Sequence, residues 1–94
     1  MTVIKSFHDR DTRALFSGRC PGRWRAIRHQ AERKLALLDA AASLEFLRAP
    51  SGNRLKRLLG DRAGEWSTRI NDQWRICFRW LEGDVWDVEI VDYH

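Results

Sequence analysis

Groups suited to acid–base and phosphate chemistry are concentrated towards the C-terminus of the 94-residue chain. The sequence ends in Asp92-Tyr93-His94, and Arg75 precedes it in a stretch of alternating apolar and polar residues. His94 can exchange a proton near neutral pH, Tyr93 can donate a hydrogen bond or stack on a base, and Asp92 can orient His94 or transfer a proton itself. Arg75 offers a planar fork of donors that matches a phosphate group.

These groups fit metal-independent cleavage of RNA, in which the 2′-hydroxyl attacks the adjacent phosphate. Such a reaction needs a base for the hydroxyl, positive charge for the phosphate oxygens and an acid for the leaving 5′-oxygen. Further candidates for holding phosphate are Lys56, Arg57, Arg62 and Arg79. Other interpretations stay open: Arg75 and Arg79 could pair with carboxylates of the final strand, Arg62 could brace its own loop, and a terminal Tyr-His pair could have no role.

Three antiparallel strands are predicted to position these groups, over residues 66–70, 73–80 and 85–91. In the central strand, one face carries Trp74, Ile76, Phe78 and Trp80, and the other carries Gln73, Arg75, Cys77 and Arg79. The final strand has Trp86, Val88 and Ile90 as its apolar set. For both apolar sets to share one face, paired residue numbers must add to an even total, such as 164 or 166. We therefore expect one dry face and one charged face.

The remaining elements lie upstream of this sheet. We expect a strand over 3–7, a short helix capped by Asp9 or Asp11 and closed by Gly18, and a longer helix near 22–42. The stripe of the longer helix is Trp24, Ile27, Ala31, Leu35, Leu38 and Ala42. A further helical turn capped by Ser43 and a strand over 53–59 follow. The fold class is therefore α+β, with two N-terminal helices packed on one face of a small antiparallel sheet.

Composition bounds the class of protein. The length predicts a single domain over residues 1–94, and the chain has no apolar run long enough to span a membrane. The charged N-terminus lacks the apolar core of a signal peptide, so we expect a cytoplasmic protein. Cys20 and Cys77 are too few for a metal site or a disulfide framework, and we expect no cofactor. Residues 1–62 carry 14 Lys and Arg against 6 Asp and Glu, which favours a polyanion such as nucleic acid or the ribosome, or an acidic protein.

Taken in order, several segments resemble a HigB-type toxin of the RelE superfamily of bacterial type II toxin–antitoxin systems. They are Ile4-Lys5-Ser6-Phe7, Asn53-Arg54-Leu55, Gly60-Asp61-Arg62, Trp66-Ser67, the stretch from Ile70 to Phe78, and Asp92-Tyr93-His94. The resemblance implies a compact RelE-like microbial ribonuclease fold and ribosome-dependent endonucleolytic cleavage of messenger RNA. Asp92, Tyr93 and His94 match the family's C-terminal catalytic tail, and Arg75 matches its strand arginine.

Two positions depart from the family pattern. Some members have a histidine where Lys56 stands, and a lysine before the Gly-Asp-Arg turn where this chain has Leu59. Lys56 can replace a histidine as a charge but is not poised for proton transfer at neutral pH. These departures concern catalytic strength more than the fold.

The resemblance also implies partners and leaves alternative functions. A helix-turn-helix antitoxin of the HigA kind would neutralise the toxin and link it to operator DNA, and the ribosomal A site with its messenger RNA would be the target. One alternative is a non-enzymatic inhibitor of DNA gyrase, as in ParE-type toxins of related fold. Another is a weakened or inactive ribosome-binding protein, which the departures at Lys56 and Leu59 suggest.

Overall fold

A computed structural model describes residues 3–48 and 54–92 of the chain. Four antiparallel strands form one sheet in the order β1-β2-β3-β4. The strands are β1 (Lys56–Arg57), β2 (Glu65–Arg69), β3 (Trp74–Leu81) and β4 (Asp84–Asp92). The helices are α1 (Arg10–Phe16), a 3-10 helix (Gly22–Ile27), α2 (Arg28–Asp39) and α3 (Leu44–Arg48), and a 3-10 turn (Gly60–Arg62) joins β1 to β2. The predicted α+β class is confirmed.

The hydrophobic core lies between the helices and one face of the sheet. Its members from the helical half are Leu15, Trp24, Ile27, Ala31, Leu35 and Leu38, and from β3 and β4 they are Ile76, Phe78, Val85, Val88 and Ile90. Trp74 and Trp80 pack against this cluster, as the alternation in β3 predicts. Burial of these large side chains is the main term that stabilises the fold, since burying each one contributes about 1.5–3 kcal/mol relative to leaving it exposed to water.

The register of β4 follows the prediction in only one half of the strand. Ile76 pairs with Ile90, a total of 166, but beyond Cys77 a β-bulge shifts the pairing so that Arg79 faces Trp86. Asp87 takes the extra position, with φ at +55°. Trp86 was therefore wrongly assigned to the apolar face.

The bulge exchanges one core residue of β4 for another. Val85 is fully buried against Trp80, whereas Trp86 is 37% exposed on the opposite face. Ser6 holds the bulge, because its Oγ accepts from the Asp87 backbone N–H at 2.9 Å and lies 3.2 Å from the Asp87 carboxylate. A strict alternation of side chains along β4 cannot reveal this partner, since Ser6 lies near the other end of the chain.

The single long helix predicted near 22–42 is two elements. A 3-10 segment ends at Ile27, and α2 ends at Asp39. The Asp39 carboxylate accepts hydrogen bonds from the backbone of Val3 and Ile4, both at 3.0 Å, which ties the N-terminal segment to the end of α2. Ala42 is consequently exposed, and Ala41 is buried in the position that the helical stripe assigned to Ala42.

The predicted helix caps are confirmed. Asp9 caps α1, accepting from the Thr12 backbone N–H at 3.0 Å and from the Thr12 hydroxyl at 2.6 Å. Gly18 follows the helix with φ at +99°, a conformation that glycine adopts without strain. Ser43 Oγ accepts from the Phe46 N–H at 3.2 Å at the start of α3.

The two strands predicted outside the C-terminal sheet are short. Residues 3–7 lie beside β4 in parallel, with isolated bridges from Ile4 to Val85 and from Phe7 to Val88. The strand predicted over 53–59 is represented by the two residues of β1, and Asn53 lies outside the described residues. Across the described ranges, no helix has the length and apolarity needed to cross a membrane.

Candidate active site

The face of the sheet away from the helices carries Lys56, Arg75 and Arg79 of the predicted polar groups, and we call it the open face. One row of it runs across all four strands, from Lys56 through Ser67 and Cys77 to Glu89. The next row contains Arg69, Arg75 and Val91. The centre of this face is shielded from solvent, since Ser67 and Cys77 are fully buried.

Arg75 lies in the middle of the open face and is 6% exposed. Its Nε donates to Ser67 Oγ at 2.9 Å, and its Nη2 donates to the Arg54 carbonyl at 2.7 Å and to the Ser67 carbonyl at 3.3 Å. These three acceptors are neutral, and they orient the guanidinium. The arrangement gives Arg75 a fixed orientation at the surface of β3.

Further positive charge lies at the same end of the sheet as Arg75. Arg69 is its partner in β2 and forms an ion pair with Asp72. Burial, together with the charges of Arg33 and Arg69, lowers the pKa of the Lys34 side chain. The influence of Arg69 on Lys34 extends the positive region from the sheet towards α2.

The end of β4 lies one residue pair away from Arg75. Arg75 pairs with Val91, and the preceding residue, Trp74, pairs with Asp92. The Asp92 carboxylate accepts from Gln73 Nε2 at 3.2 Å. Tyr93 and His94 follow Asp92 directly in the chain and lie outside the described residues. Of the predicted catalytic set, the structure therefore places Asp92 and Arg75 at the same end of the sheet but in adjacent rows. Asp92 shares its row with the core-packed Trp74, so the two side chains leave the sheet on opposite faces.

Arg62 is held by two carboxylates. Its Nη1 lies 3.1 Å from Glu65 and its Nη2 lies 3.1 Å from Glu89, so the turn between β1 and β2 is tied to β4. This geometry matches the interpretation that Arg62 braces its own loop. A contact between Arg62 and phosphate stays a prediction, and it would compete with both carboxylates.

The other three predicted phosphate contacts occupy different positions. Lys56 is exposed on the open face, opposite Ser67, whereas Arg57 pairs with Trp66 and lies on the other face. Arg79 Nε lies 3.5 Å from the Asp87 carboxylate, as the ion-pair interpretation expected. Contacts of these cations with RNA stay predictions.

Cys77 is buried beneath Arg62 and is no nucleophile at neutral pH. Burial raises the pKa of its thiol to about 11, and the nearby carboxylates of Glu65 and Glu89 add to the effect of burial. The thiol is therefore protonated in the folded protein. In the described part of the chain, no group of three or more His, Cys, Asp or Glu residues could hold a metal ion.

Sequence reasoning assigned no role to two features near this site. The first is Ser67, whose hydroxyl orients Arg75, and which was named from the sequence only as part of the Trp66-Ser67 segment. The alternation of Ser67 with Arg69 along β2 could have indicated that the two residues share a face of the sheet. A pocket of about 300 Å³ beside Asp92 is lined by Arg23, Trp24, Trp74 and residues 89–92. The position of Arg23 beside β4 depends on the tertiary structure, and no sequence pattern indicates it.

Comparison with known proteins identifies similar chains. Residues 4–94 match the family described as RelE-like toxin of type II toxin-antitoxin system HigB. Toxin HigB-1 of Vibrio cholerae serotype O1 is 43% identical over 58 residues, which cover 62% of this chain and 61% of that toxin, less than two thirds of its length. Endoribonuclease HigB of Proteus vulgaris is 31% identical over 93 residues, which cover 98% of this chain and 100% of that enzyme.

Proposed function

Because the chain belongs to the family of RelE-like HigB toxins of type II toxin–antitoxin systems, we propose that it is an endoribonuclease that cleaves messenger RNA on the ribosome. Cleavage in the A site would stop translation and growth. The Proteus vulgaris relative, which aligns along its entire length, is named an endoribonuclease. The cytoplasm, where ribosomes translate, is then the place of action.

The observation that carries this proposal is the environment of Arg75. Arg75 is 6% exposed as a residue, and its guanidinium, oriented by Ser67 and the Arg54 carbonyl, is a preorganised positive charge. Arg75 pairs with Val91 of β4. The next residue of β4 is Asp92, from which the chain continues to Tyr93 and His94. A fixed cation next to a segment rich in acid–base groups suits a reaction in which charge develops on phosphate.

In the proposed reaction, the 2′-oxygen of one nucleotide attacks its own 3′-phosphate. The new bond joins the 2′-oxygen to phosphorus, and the bond from phosphorus to the 5′-oxygen breaks, which leaves a 2′,3′-cyclic phosphate and a 5′-hydroxyl. Arg75 stabilises the charge on the phosphate oxygens. His94 either accepts the proton of the 2′-hydroxyl or donates a proton to the leaving 5′-oxygen, and Asp92 either orients His94 or makes the other of these two transfers. Tyr93 donates a hydrogen bond or stacks on a base. No metal ion takes part.

Lys56 is the best placed of the remaining cations to contact RNA. It is exposed on the open face and separated from Arg75 by Ser67 in the neighbouring strand. We assign it a contact with the RNA backbone and no proton transfer, because an ordinary lysine stays protonated at neutral pH. Arg57, on the other face of β1, and Arg79, which pairs with Asp87, are further candidates for phosphate contact, and Arg62 holds the β1–β2 turn in place.

The ribosome would contribute the positioning that a small toxin lacks. The chain has Leu59 and Lys56 where some relatives carry a lysine and a histidine, so its own set of reactive groups is limited. Holding the messenger in a strained, extended path next to the toxin would bring the 2′-hydroxyl into line with the phosphate. We therefore expect little cleavage of free RNA.

As a type II toxin, the protein has an antitoxin as its partner. We propose that this antitoxin is a helix-turn-helix protein of the HigA kind, and that the toxin reaches operator DNA only through it. Co-expression of the two proteins should restore growth, and the purified pair should shift operator DNA that the toxin alone leaves unbound.

The test is to map RNA 5′ ends across the transcriptome after a brief pulse of the protein. We expect new 5′-hydroxyl ends inside translated frames, absent when initiation is blocked and absent with His94→Ala. His29→Ala, which removes an exposed imidazole from α2, is the matched control and should cleave normally.

Each alternative has its own outcome in this experiment. Equal cleavage by His94→Ala would exclude the C-terminal residue from the mechanism, and 5′-phosphate ends would contradict attack by the 2′-hydroxyl. Cleavage without translation would contradict the need for the ribosome. Growth arrest without new ends would refute the endoribonuclease proposal and leave passive blockade of the ribosome or inhibition of gyrase.

A further inference from the structure

A second concave surface lies on the outer side of α1, in the helical half of the molecule. It has a volume of about 390 Å³ and is lined by Arg10, Arg13, Ala14, Ser17 and Arg19. We call this surface the arginine pocket. It shares no residue with the open face of the sheet, and the chemistry proposed above does not use it.

The helix and its C-terminal turn build the pocket together. Residues 10, 13, 14 and 17 recur at spacings of three and four, so they occupy one face of α1, opposite the buried residues Thr12 and Leu15. After Gly18, the chain reverses, and the Arg19 N–H donates to the Ala14 carbonyl at 2.8 Å. This turn brings Arg19 back beside the helix.

The turn that carries Arg19 is braced by a second element. Arg28, the first residue of α2, donates from Nη2 to the Gly18 carbonyl at 3.0 Å and forms an ion pair with Glu32 at 3.1 Å. Gly18 itself has φ at +99° and is free to adopt that conformation. The backbone position of Arg19 is therefore fixed by hydrogen bonds within the fold.

In the described part of the chain, no carboxylate neutralises the charge of the arginine pocket. Within residues 3–48 and 54–92, none of its three arginines forms an ion pair with a carboxylate, unlike Arg23, Arg28, Arg48, Arg62, Arg69 and Arg79. The nearby acids are engaged elsewhere, Asp9 by Thr12 and Asp11 by Arg23 at 3.0 Å. All three arginines are exposed, and the Arg13 guanidinium also lies over the Phe7 ring, 5.9 Å from its centroid, a contact that leaves its charge in place.

Stability of the helix does not explain Arg10. It occupies the first position of α1, where the helix dipole disfavours a positive charge. A cation at this position, close to two others, costs the folded protein some stability. An external anion would remove the cost.

We propose that the arginine pocket binds phosphate groups of the ribosomal RNA backbone, as an anchoring contact separate from the cleavage site. This inference rests on the proposed ribosomal target. Guanidinium groups match phosphate oxygens in geometry, and phosphate contacts supply most of the affinity and orientation in RNA binding. The centre of a typical protein interface is more apolar than this, since Ala14 is the one apolar residue among the described residues that line the pocket.

The test compares two double variants of the full chain in binding to purified ribosomes. Arg10→Gln/Arg19→Gln removes two cations of the pocket, and Lys5→Gln/Arg25→Gln removes two exposed cations outside it with the same change in net charge. For the parent, Kd should rise by a certain factor between 50 and 200 mM salt. Loss of two phosphate contacts should make that factor about tenfold smaller in the pocket variant, whereas the control should keep the parent's factor. Cleavage at saturating ribosome concentration should be unchanged in both variants.

Unfolding midpoints close to that of the parent would show that the variants are folded. Equal binding by the pocket variant and the parent, or an equal loss in the control, would overturn the proposal. A loss of antitoxin affinity with unchanged ribosome affinity would reassign the pocket to a protein partner. If the parent binds ribosomes through the pocket but produces no new RNA ends, the cleavage proposal fails and the anchoring contact stands; if the parent does not bind ribosomes, both fail.

Discussion

At the scale of single residues, Arg75 has the environment most relevant to the proposed chemistry. Its guanidinium is buried and hydrogen-bonded to Ser67 and to the Arg54 carbonyl, so its direction is set by β2 and by the segment before β1. Ser67 acts through Arg75 and is a positioning residue. Because both side chains are buried, a loss of one partner leaves the other with an unmet hydrogen bond.

We predict that Ser67→Ala lowers the cleavage rate on saturating ribosomes by roughly tenfold, because about 1.4 kcal/mol of transition-state stabilisation corresponds to that factor. The unfolding free energy should fall by about 1–3 kcal/mol, since the Arg75 Nε–H loses its acceptor. Single-turnover cleavage of ribosome-bound messenger and denaturant unfolding measure the two effects. Ribosome affinity should not change.

A double-mutant cycle separates positioning from a general loss of stability. If Ser67 acts through Arg75, then adding Ser67→Ala to Arg75→Ala should lower the cleavage rate no further. An equal loss of rate in both backgrounds would show that Ser67 contributes by another route.

At the scale of secondary structure elements, a chain of hydrogen bonds joins α1 to the edge of β4. Asp9 accepts from the Thr12 hydroxyl at 2.6 Å, and that hydroxyl oxygen accepts from the Ile90 backbone N–H at 3.2 Å. Through Thr12, the capped helix therefore satisfies the Ile90 backbone N–H. This donor lies on the edge strand β4, two residues past Val88, which forms the parallel bridge to Phe7. Thr12 is fully buried, as its position between the helix and β4 requires.

We expect Asp9→Ala to destabilise the protein by about 1–2 kcal/mol, because the cap of α1 is lost and the Thr12 hydroxyl loses its acceptor. Asp11→Ala is the control in the same helix. Its ion pair with Arg23 is exposed on both sides and should contribute about 0–1 kcal/mol. Chemical denaturation of both variants measures the difference, and equal losses would show that the cap has no special weight.

At the scale of the whole molecule, the sheet is buried on both sides along its centre. The helices cover one face, and on the other the Arg62 bridge to Glu65 and Glu89 passes over Cys77. A thiol in this place affects the pH dependence of folding. Its pKa in the folded state, about 11, is higher than the ordinary value of 9.0, so the folded state keeps a proton that the unfolded chain loses.

The stabilising term from Cys77 is fully present below pH 9 and declines as the pH rises through about 11. Between these values, the free energy of unfolding should fall by about 1.4 kcal/mol per pH unit on account of this group. Cys77→Ala should be less stable at neutral pH, because it leaves a small cavity, but its stability should decline less steeply above pH 9. Denaturant unfolding from pH 8 to 10.5 tests this comparison, and parallel curves for the two proteins would contradict it.

The sequence by itself determined the local features of this protein. Alternation predicted which residues of β3 face the core, helical spacing predicted the stripe from Trp24 to Leu38, and the capping residues Asp9, Gly18 and Ser43 are where the pattern places them. These features depend on interactions between residues a few positions apart, so they are legible from short segments. The segments that resemble the HigB toxins likewise indicate the family from the sequence alone.

Tertiary structure alone decided which groups meet. Asp39 ends α2 because it receives the N-terminal segment, Ser6 supports the bulge that turns Trp86 out of the core, and Glu89 joins Glu65 in holding Arg62. The partners in these contacts are separated by up to 81 positions in sequence. The two-residue periodicity of a strand and the 3.6-residue periodicity of a helix do not identify such partners. Which polar groups meet depends on how the sheet and helices pack, and packing buries these groups so that each needs a hydrogen-bond partner.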